Sequence, residues 1–88
     1  MKEFTRKIID PIGLHARPTS LVTAIAAKYK SDAKLSYNGR EGNLKSIMNI
    51  MNIFGIKYGS IITIKTSGED EQESIDAIKK ALEDHQLI

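Results

Sequence analysis

An α+β domain with its helices laid over one face of a sheet is the fold class this sequence predicts, and three observations carry the prediction. Ala33, Leu35 and Tyr37 alternate with polar residues as in a half-buried strand, and Asn38-Gly39 follows as the turn of a hairpin. From Thr19 to Tyr29 the apolar residues Leu21, Val22, Ile25, Ala26 and Tyr29 recur at helical spacing instead. In chain order the elements read strand, helix, strand, strand, helix, strand, helix.

The first strand is expected over Lys2 to Ile9, with Phe4, Arg6 and Ile8 on one side and Thr5, Lys7 and Ile9 on the other. Asp10-Pro11-Ile12-Gly13 ends it, since Pro11 biases Asp10 toward an extended backbone and Gly13 permits a sharp turn. The first helix follows to about Tyr29 with Pro18 in its first turn, where a missing N–H costs nothing. After the hairpin strand 33–37, Arg40 to Asn43 forms a short return strand. Ile47, Met48, Ile50, Met51 and Ile53 make a second helix too densely apolar for an ordinary surface, with Ser46 as its N-cap and Gly55 as its stop. Ser60 to Thr66 is rich in β-branched residues and reads as the fourth strand. The last helix runs from Asp70 to about Asp84 and buries Ile75, Ile78 and Leu82 with help from Ala77 and Ala81. Asp70 and Glu73 stand at capping-box spacing at its start.

Eighty-eight residues make one domain, 1–88, of a size that folds unaided. With no cysteine there is no disulfide framework, and the two histidines fit no zinc pattern, so neither a metal nor a cofactor is expected. No stretch is apolar enough to span a bilayer or to act as a leader, which leads to a cytoplasmic protein with no membrane insertion. Charge is unevenly placed: residues 1–66 carry a net +7 and residues 67–88 a net −5. A basic surface would steer anions or acidic partners to the first two helices. The same surface would suit nucleic acid, but no strand shows the clustered aromatics on which bases stack.

The chemistry concentrates in Gly13-Leu14-His15-Ala16-Arg17-Pro18. The free amides and positive dipole of a helix start favour an anion, so an arginine placed there is out of keeping unless an anion arrives. The acids of 69–73 at the last helix show the usual arrangement; the turn after His15 has none. A solvated Arg17 and a capping or packed His15 are the plain alternatives. A phosphoryl site is the specific one, because imidazole offers a neutral nucleophilic nitrogen near neutral pH. His85 sits in an acidic carboxyl-terminal stretch with no Gly or Arg beside it and reads as a helix-end residue.

Gly-Leu-His-Ala-Arg-Pro, taken with Asn43-Leu44-Lys45-Ser46-Ile47-Met48, resembles the HPr family, the histidine-containing phosphocarriers of the bacterial phosphoenolpyruvate-dependent sugar phosphotransferase system. The resemblance covers the whole chain. It implies an open-faced β-sandwich, a four-stranded antiparallel sheet covered on one face by three helices in the order βαββαβα. It implies that His15 carries phosphate on its δ1 nitrogen, received from Enzyme I and passed to sugar-specific IIA components, with Arg17 and the backbone of Ala16 and Arg17 holding the phosphoryl group. Such a protein is a phosphorylated intermediate and not a turnover catalyst. Ser46 matches the regulatory serine of the low-GC Gram-positive branch, phosphorylated there by HPr kinase/phosphorylase and read by a catabolite-control transcriptional regulator. A regulatory binding module acting mainly through that phosphoserine is the alternative reading. Ile47, Met48 and Met51, with Lys45 beside them, form the expected partner patch, while Ile50 is assigned to the core. A carrier that shows one small face to successive partners is expected to be a monomer. Three positions depart from common family versions: Ile12 replaces a small polar residue, Thr19 an alanine and Asn49 a glycine.

Overall fold

Alternation with period two decides which side of this protein is covered. The computed structural model describes residues 1–11, 16–51 and 57–88, the side chains of 16–18, 47 and 51 excepted. The elements are β1 (Lys2–Lys7), α1 (Ala16–Ala26), β2 (Asp32–Tyr37), β3 (Arg40–Asn43), α2 (Ile47–Met51), β4 (Ile61–Ser67) and α3 (Glu71–Asp84). The four strands form one antiparallel sheet in the order β1-β4-β2-β3. Phe4, Ile64, Leu35 and Gly42 stand in one row across it on the inner face. Val22 and Ala26 of α1, Ile50 of α2 and Ile78, Ala81 and Leu82 of α3 close over that face into a single core. The next row, Thr5, Thr63, Ser36 and Glu41, faces outward. There Thr5 Oγ1 and Thr63 Oγ1 share a hydrogen bond of 2.9 Å, and Lys34 pairs with Glu41 at 3.5 Å. These exposed contacts add little stability, but they keep the uncovered face polar.

The hairpin forms as the sequence predicts. Asn38 and Gly39 have φ of 51° and 80°, the left-handed pair that a type I′ turn requires. Gly42 is buried opposite Leu35 in the return strand. β1 is shorter than expected because Ile8 and Ile9 leave the ladder for other partners. Ile8 exchanges hydrogen bonds with the loop before β4, through Ser60 and Gly59, and Ile9 N–H donates to Leu87 O at 2.8 Å. α1 ends at Ala26 and not near Tyr29, since Lys28 and Tyr29 bond back only three residues, to Ile25 O and Ala26 O, in a tightened final turn. The predicted stop at Gly55 and the helical residues Asn52 and Ile53 lie outside the described residues.

Leu21 corrects the expected apolar stripe of α1. It is 44% exposed, whereas Thr19, Val22, Thr23 and Ala26 are buried, so the inward face runs one position out of phase with Leu21. Thr19 and Thr23 place hydroxyls in the interior without a hydrogen-bond partner, as Ser74 does on α3. Threonines won these positions by phase, not by hydrophobicity.

The capping box expected at Asp70 is also replaced. Asp70 occupies the N-cap position of α3 but makes no side-chain bond to its own helix. Its carboxylate instead crosses to the exit of α1, accepting Lys30 N–H at 2.9 Å, Ser31 N–H at 2.8 Å and the Ser31 hydroxyl. Gly68 makes the approach feasible: its φ is 147°, and a Cβ there would stand 2.9 Å from the Ser31 backbone. Glu71 supplies the local contact, accepting Gly68 N–H at 3.1 Å while its other oxygen meets the terminal ammonium of Met1 at 2.8 Å. At the far end of α3, Gln86 takes the left-handed conformation, φ 58°, and Gln86 N–H and Leu87 N–H close on Glu83 O and Leu82 O in a Schellman motif. That turn drives Leu87, fully buried, into the core.

The Ser31 hydroxyl, and after it the Lys30 and Ser31 amides, lower the Asp70 carboxyl from 3.8 to about 2. A carboxylate favoured in this way stabilises the fold in full above its unfolded value near 3.8, and the contribution is lost as pH falls through about 2. Acid titration of stability should therefore show a limb between these values that is flattened in Asp70→Asn; an unchanged acid limb in the variant would refute the assignment.

Candidate functional site

α1 starts at Ala16, one residue after His15 in sequence, and no acid occupies its first turn. His15 itself, with Ile12, Gly13 and Leu14, lies outside the described residues, as do the side chains of Ala16, Arg17 and Pro18. What the backbone establishes is a helix over Ala16–Ala26, whose first-turn amides have no carbonyl partner within the helix. The contrast with α3 is plain, for Glu71 and Glu73 sit in the first turn of that helix.

The second constellation is built from Asn43, Ser46 and Asn49, spaced three apart. Asn43 Oδ1 accepts Lys45 N–H at 3.0 Å, and Asn43 O accepts Ser46 N–H at 3.0 Å, a turn that the asparagine side chain makes with its own backbone. Ser46, half-buried, then caps α2 as expected. Its Oγ accepts Asn49 N–H at 3.3 Å and Asn49 Nδ2 at 3.2 Å, and its carbonyl accepts Ile50 N–H at 3.1 Å. Neither asparagine entered the sequence reading as a structural partner, although the Asn43, Ser46, Asn49 spacing was there to be read.

Lys45 behaves differently from a free surface cation. Its Nζ donates to Tyr29 O at 2.8 Å, so the ammonium meets the carbonyl end of α1, whose last turn has no basic residue of its own. This contact also sets the geometry of the whole surface. It ties the Lys45 ammonium to the exit of α1, while Ala16 opens the other end, about 16 Å of helix away.

Between those ends, apolar side chains reach solvent on both helices. Met48 of α2 is 73% exposed and Leu21 of α1 44%, and α1 packs beside α2. Ile50 is buried as assigned, at 3%. The side chains of Ile47 and Met51 are outside the described ones. Leu21, read from the sequence only as one of the apolar residues recurring at helical spacing, is the residue that sequence reasoning missed for this surface. His85 is exposed at the C-cap of α3, its N–H donating to Ala81 O at 3.1 Å, which agrees with a helix-end role. Among the described residues no cluster of His, Cys, Asp or Glu is arranged to hold a metal ion, and no helix is long and apolar enough to cross a membrane.

A family model described as the PTS HPr component phosphorylation site matches residues 2–84. The sequence is 51% identical to the phosphocarrier protein HPr of Mycoplasma pneumoniae over 89 residues, covering 100% of both chains. Among solved structures, a histidine-containing phosphocarrier protein from Mycoplasma matches with a TM-score of 0.95 at 44% identity, covering 99% of this chain and 98% of that one. Crh, the Bacillus subtilis catabolite repression protein whose crystal structure is a swapped dimer, matches with a TM-score of 0.74 at 31% identity over 94% of each chain.

Loss of the Ser46 cap should cost stability without abolishing the fold. Ser46→Ala is expected to lower unfolding free energy by about 1 kcal/mol, the usual worth of such a cap. Urea denaturation would measure it, and a variant as stable as the parent would show that the Oγ bonds to Asn49 contribute nothing.

Proposed function

The chain belongs to the HPr family of phosphocarriers of the phosphoenolpyruvate-dependent sugar phosphotransferase system, and from that premise we propose that His15 accepts a phosphoryl group from phosphorylated Enzyme I and passes it to a histidine of sugar-specific IIA components. The observation that carries this reading is the acid-free amide end of α1, which opens at Ala16, directly after His15 in sequence. A helix start disfavours imidazolium and so keeps a ring nitrogen free as a nucleophile. In the first transfer the His15 Nδ1 lone pair forms the new N–P bond as the N–P bond of phosphorylated Enzyme I breaks and its electron pair returns to that imidazole; in the second the IIA histidine attacks, and the electron pair of the breaking N–P bond returns to His15. The product then meets an environment suited to it. Amides of Ala16 and Arg17 donate to phosphoryl oxygens, and the Arg17 guanidinium pairs with them as charge builds on the equatorial oxygens. The protein acts as one cytoplasmic domain, a monomer that is modified by enzymes and needs neither metal nor cofactor.

Partners dock on the apolar ground between the two ends of α1. Met48 and Leu21 offer exposed side chains there, Ile47 and Met51 extend the patch by sequence position, and methionine adapts to differently shaped surfaces. Lys45 adds a basic rim only when it gives up its bond to Tyr29 O. Ser46 is the regulatory position, phosphorylated by an ATP-dependent HPr kinase/phosphorylase. The added phosphate acts by repelling an acidic Enzyme I as it docks. A second reading, a regulatory module whose phosphoserine engages a catabolite-control transcriptional regulator, draws on the likeness to Crh.

Incubation with Enzyme I and phosphoenolpyruvate should place acid-labile phosphate on His15, absent in His15→Ala, and a IIA protein should remove it. No label from a competent Enzyme I would overturn the carrier reading and leave the regulatory one. Arg17→Ala should slow transfer roughly 10- to 100-fold, the worth of a charge-assisted hydrogen bond, with unfolding little changed. Near-normal transfer by the folded variant would remove Arg17 from the site. Ser46→Asp should lower the rate of His15 phosphorylation in a folded protein, and an equal rate would rule out charge repulsion at the docking step.

A further inference from the structure

We propose that the Asn49 side chain masks Ser46, so that the resting protein presents a serine whose attacking oxygen is already occupied. The inference rests on the reading of Ser46 as a phosphorylation site. A serine oxygen has two lone pairs and one proton. Both lone pairs of Ser46 Oγ are taken: Asn49 N–H donates at 3.3 Å and Asn49 Nδ2 at 3.2 Å. The two donors differ in kind. The backbone N–H is the cap of α2 and stays while that helix stays, whereas the amide group belongs to an exposed side chain free to rotate away.

Phosphorylation requires a lone pair of Oγ to face phosphorus. The Oγ–P bond forms with the γ-phosphorus of ATP, the bond from that phosphorus to the bridging oxygen breaks, ADP leaves with the electron pair, and the hydroxyl proton passes to a base of the kinase. Attack through the lone pair that Nδ2 holds requires that hydrogen bond to break first. The kinase therefore acts on the fraction of molecules in which Asn49 has turned aside, and its apparent efficiency is reduced by that fraction. Asn49 is in this sense a residue that sets how readily Ser46 is modified, and it does so from within the substrate.

The test compares the parent and Asn49→Ala as substrates of HPr kinase/phosphorylase with ATP, with the phosphate mapped to Ser46. Alanine favours the helix and removes only the Nδ2 donor. The expected result is a kcat/KM for Asn49→Ala higher by roughly two- to tenfold, the worth of one neutral hydrogen bond. An equal or lower kcat/KM, with the parent labelled, overturns the mask and leaves the Ser46 reading standing. No label on either chain from a competent kinase overturns that reading and the mask with it. A measurement without the kinase decides the geometry separately: the Asn49 side-chain amide protons should exchange with water more slowly in the parent than in Ser46→Ala. Equal exchange overturns the proposal.

Discussion

The carboxylate of Asp70 is the contact on which the arrangement of this protein depends. By accepting two amides and a hydroxyl from Lys30 and Ser31, it fastens the start of α3 to the exit of α1 across 40 residues of chain. The two helices are thereby set antiparallel over the sheet. Once the exit of α1 is fixed at that end of the molecule, its amide end must open at the other. Thr66 Oγ1 donating to Glu71 O at 2.9 Å and Met1 meeting Glu71 repeat the attachment from the strand side. A helix whose job is to offer its start to an anion has its other end held by a side chain from elsewhere.

A similar economy governs α2. Its described part, Ile47–Met51, is tied at its start by polar side chains and in the core by one apolar one. Asn43 shapes the turn, Ser46 and Asn49 cap it, Lys45 reaches to Tyr29, and Ile50 anchors it in the core. Met48, 73% exposed, stands two residues after the capping Ser46. A docking surface and a regulatory hydroxyl thus share one small scaffold.

Buried polar groups mark where local pattern and packing disagree. Thr19, Thr23 and Ser74 lie inside with unpartnered hydroxyls, while Leu21 faces water. Helical phase explains this. Position along α1 determines which side chain faces the interior, and 19, 22, 23 and 26 fall on that side whatever their polarity. Helical spacing of apolar residues therefore did not tell Leu21 from the inward ones and left the threonines unassigned.

Element type and order, the I′ hairpin at Asn38-Gly39, the Ser46 cap, the buried Ile50 and the acid-free helix start after His15 were all determined by the sequence, because each depends on residues within a few positions of one another. So did the family, whose two motifs are contiguous runs. Tertiary structure alone decided the order β1-β4-β2-β3, the capture of Asp70 by Ser31 in place of its own helix, the placing of Lys45 on Tyr29 O, and the exposure of Leu21. The physical reason is common to these. Periods of 3.6 and two say which faces of an element are alike, but a donor's partner and a face's neighbour are set by which segments the closed core brings within 3 Å or so, and no local pattern encodes that distance.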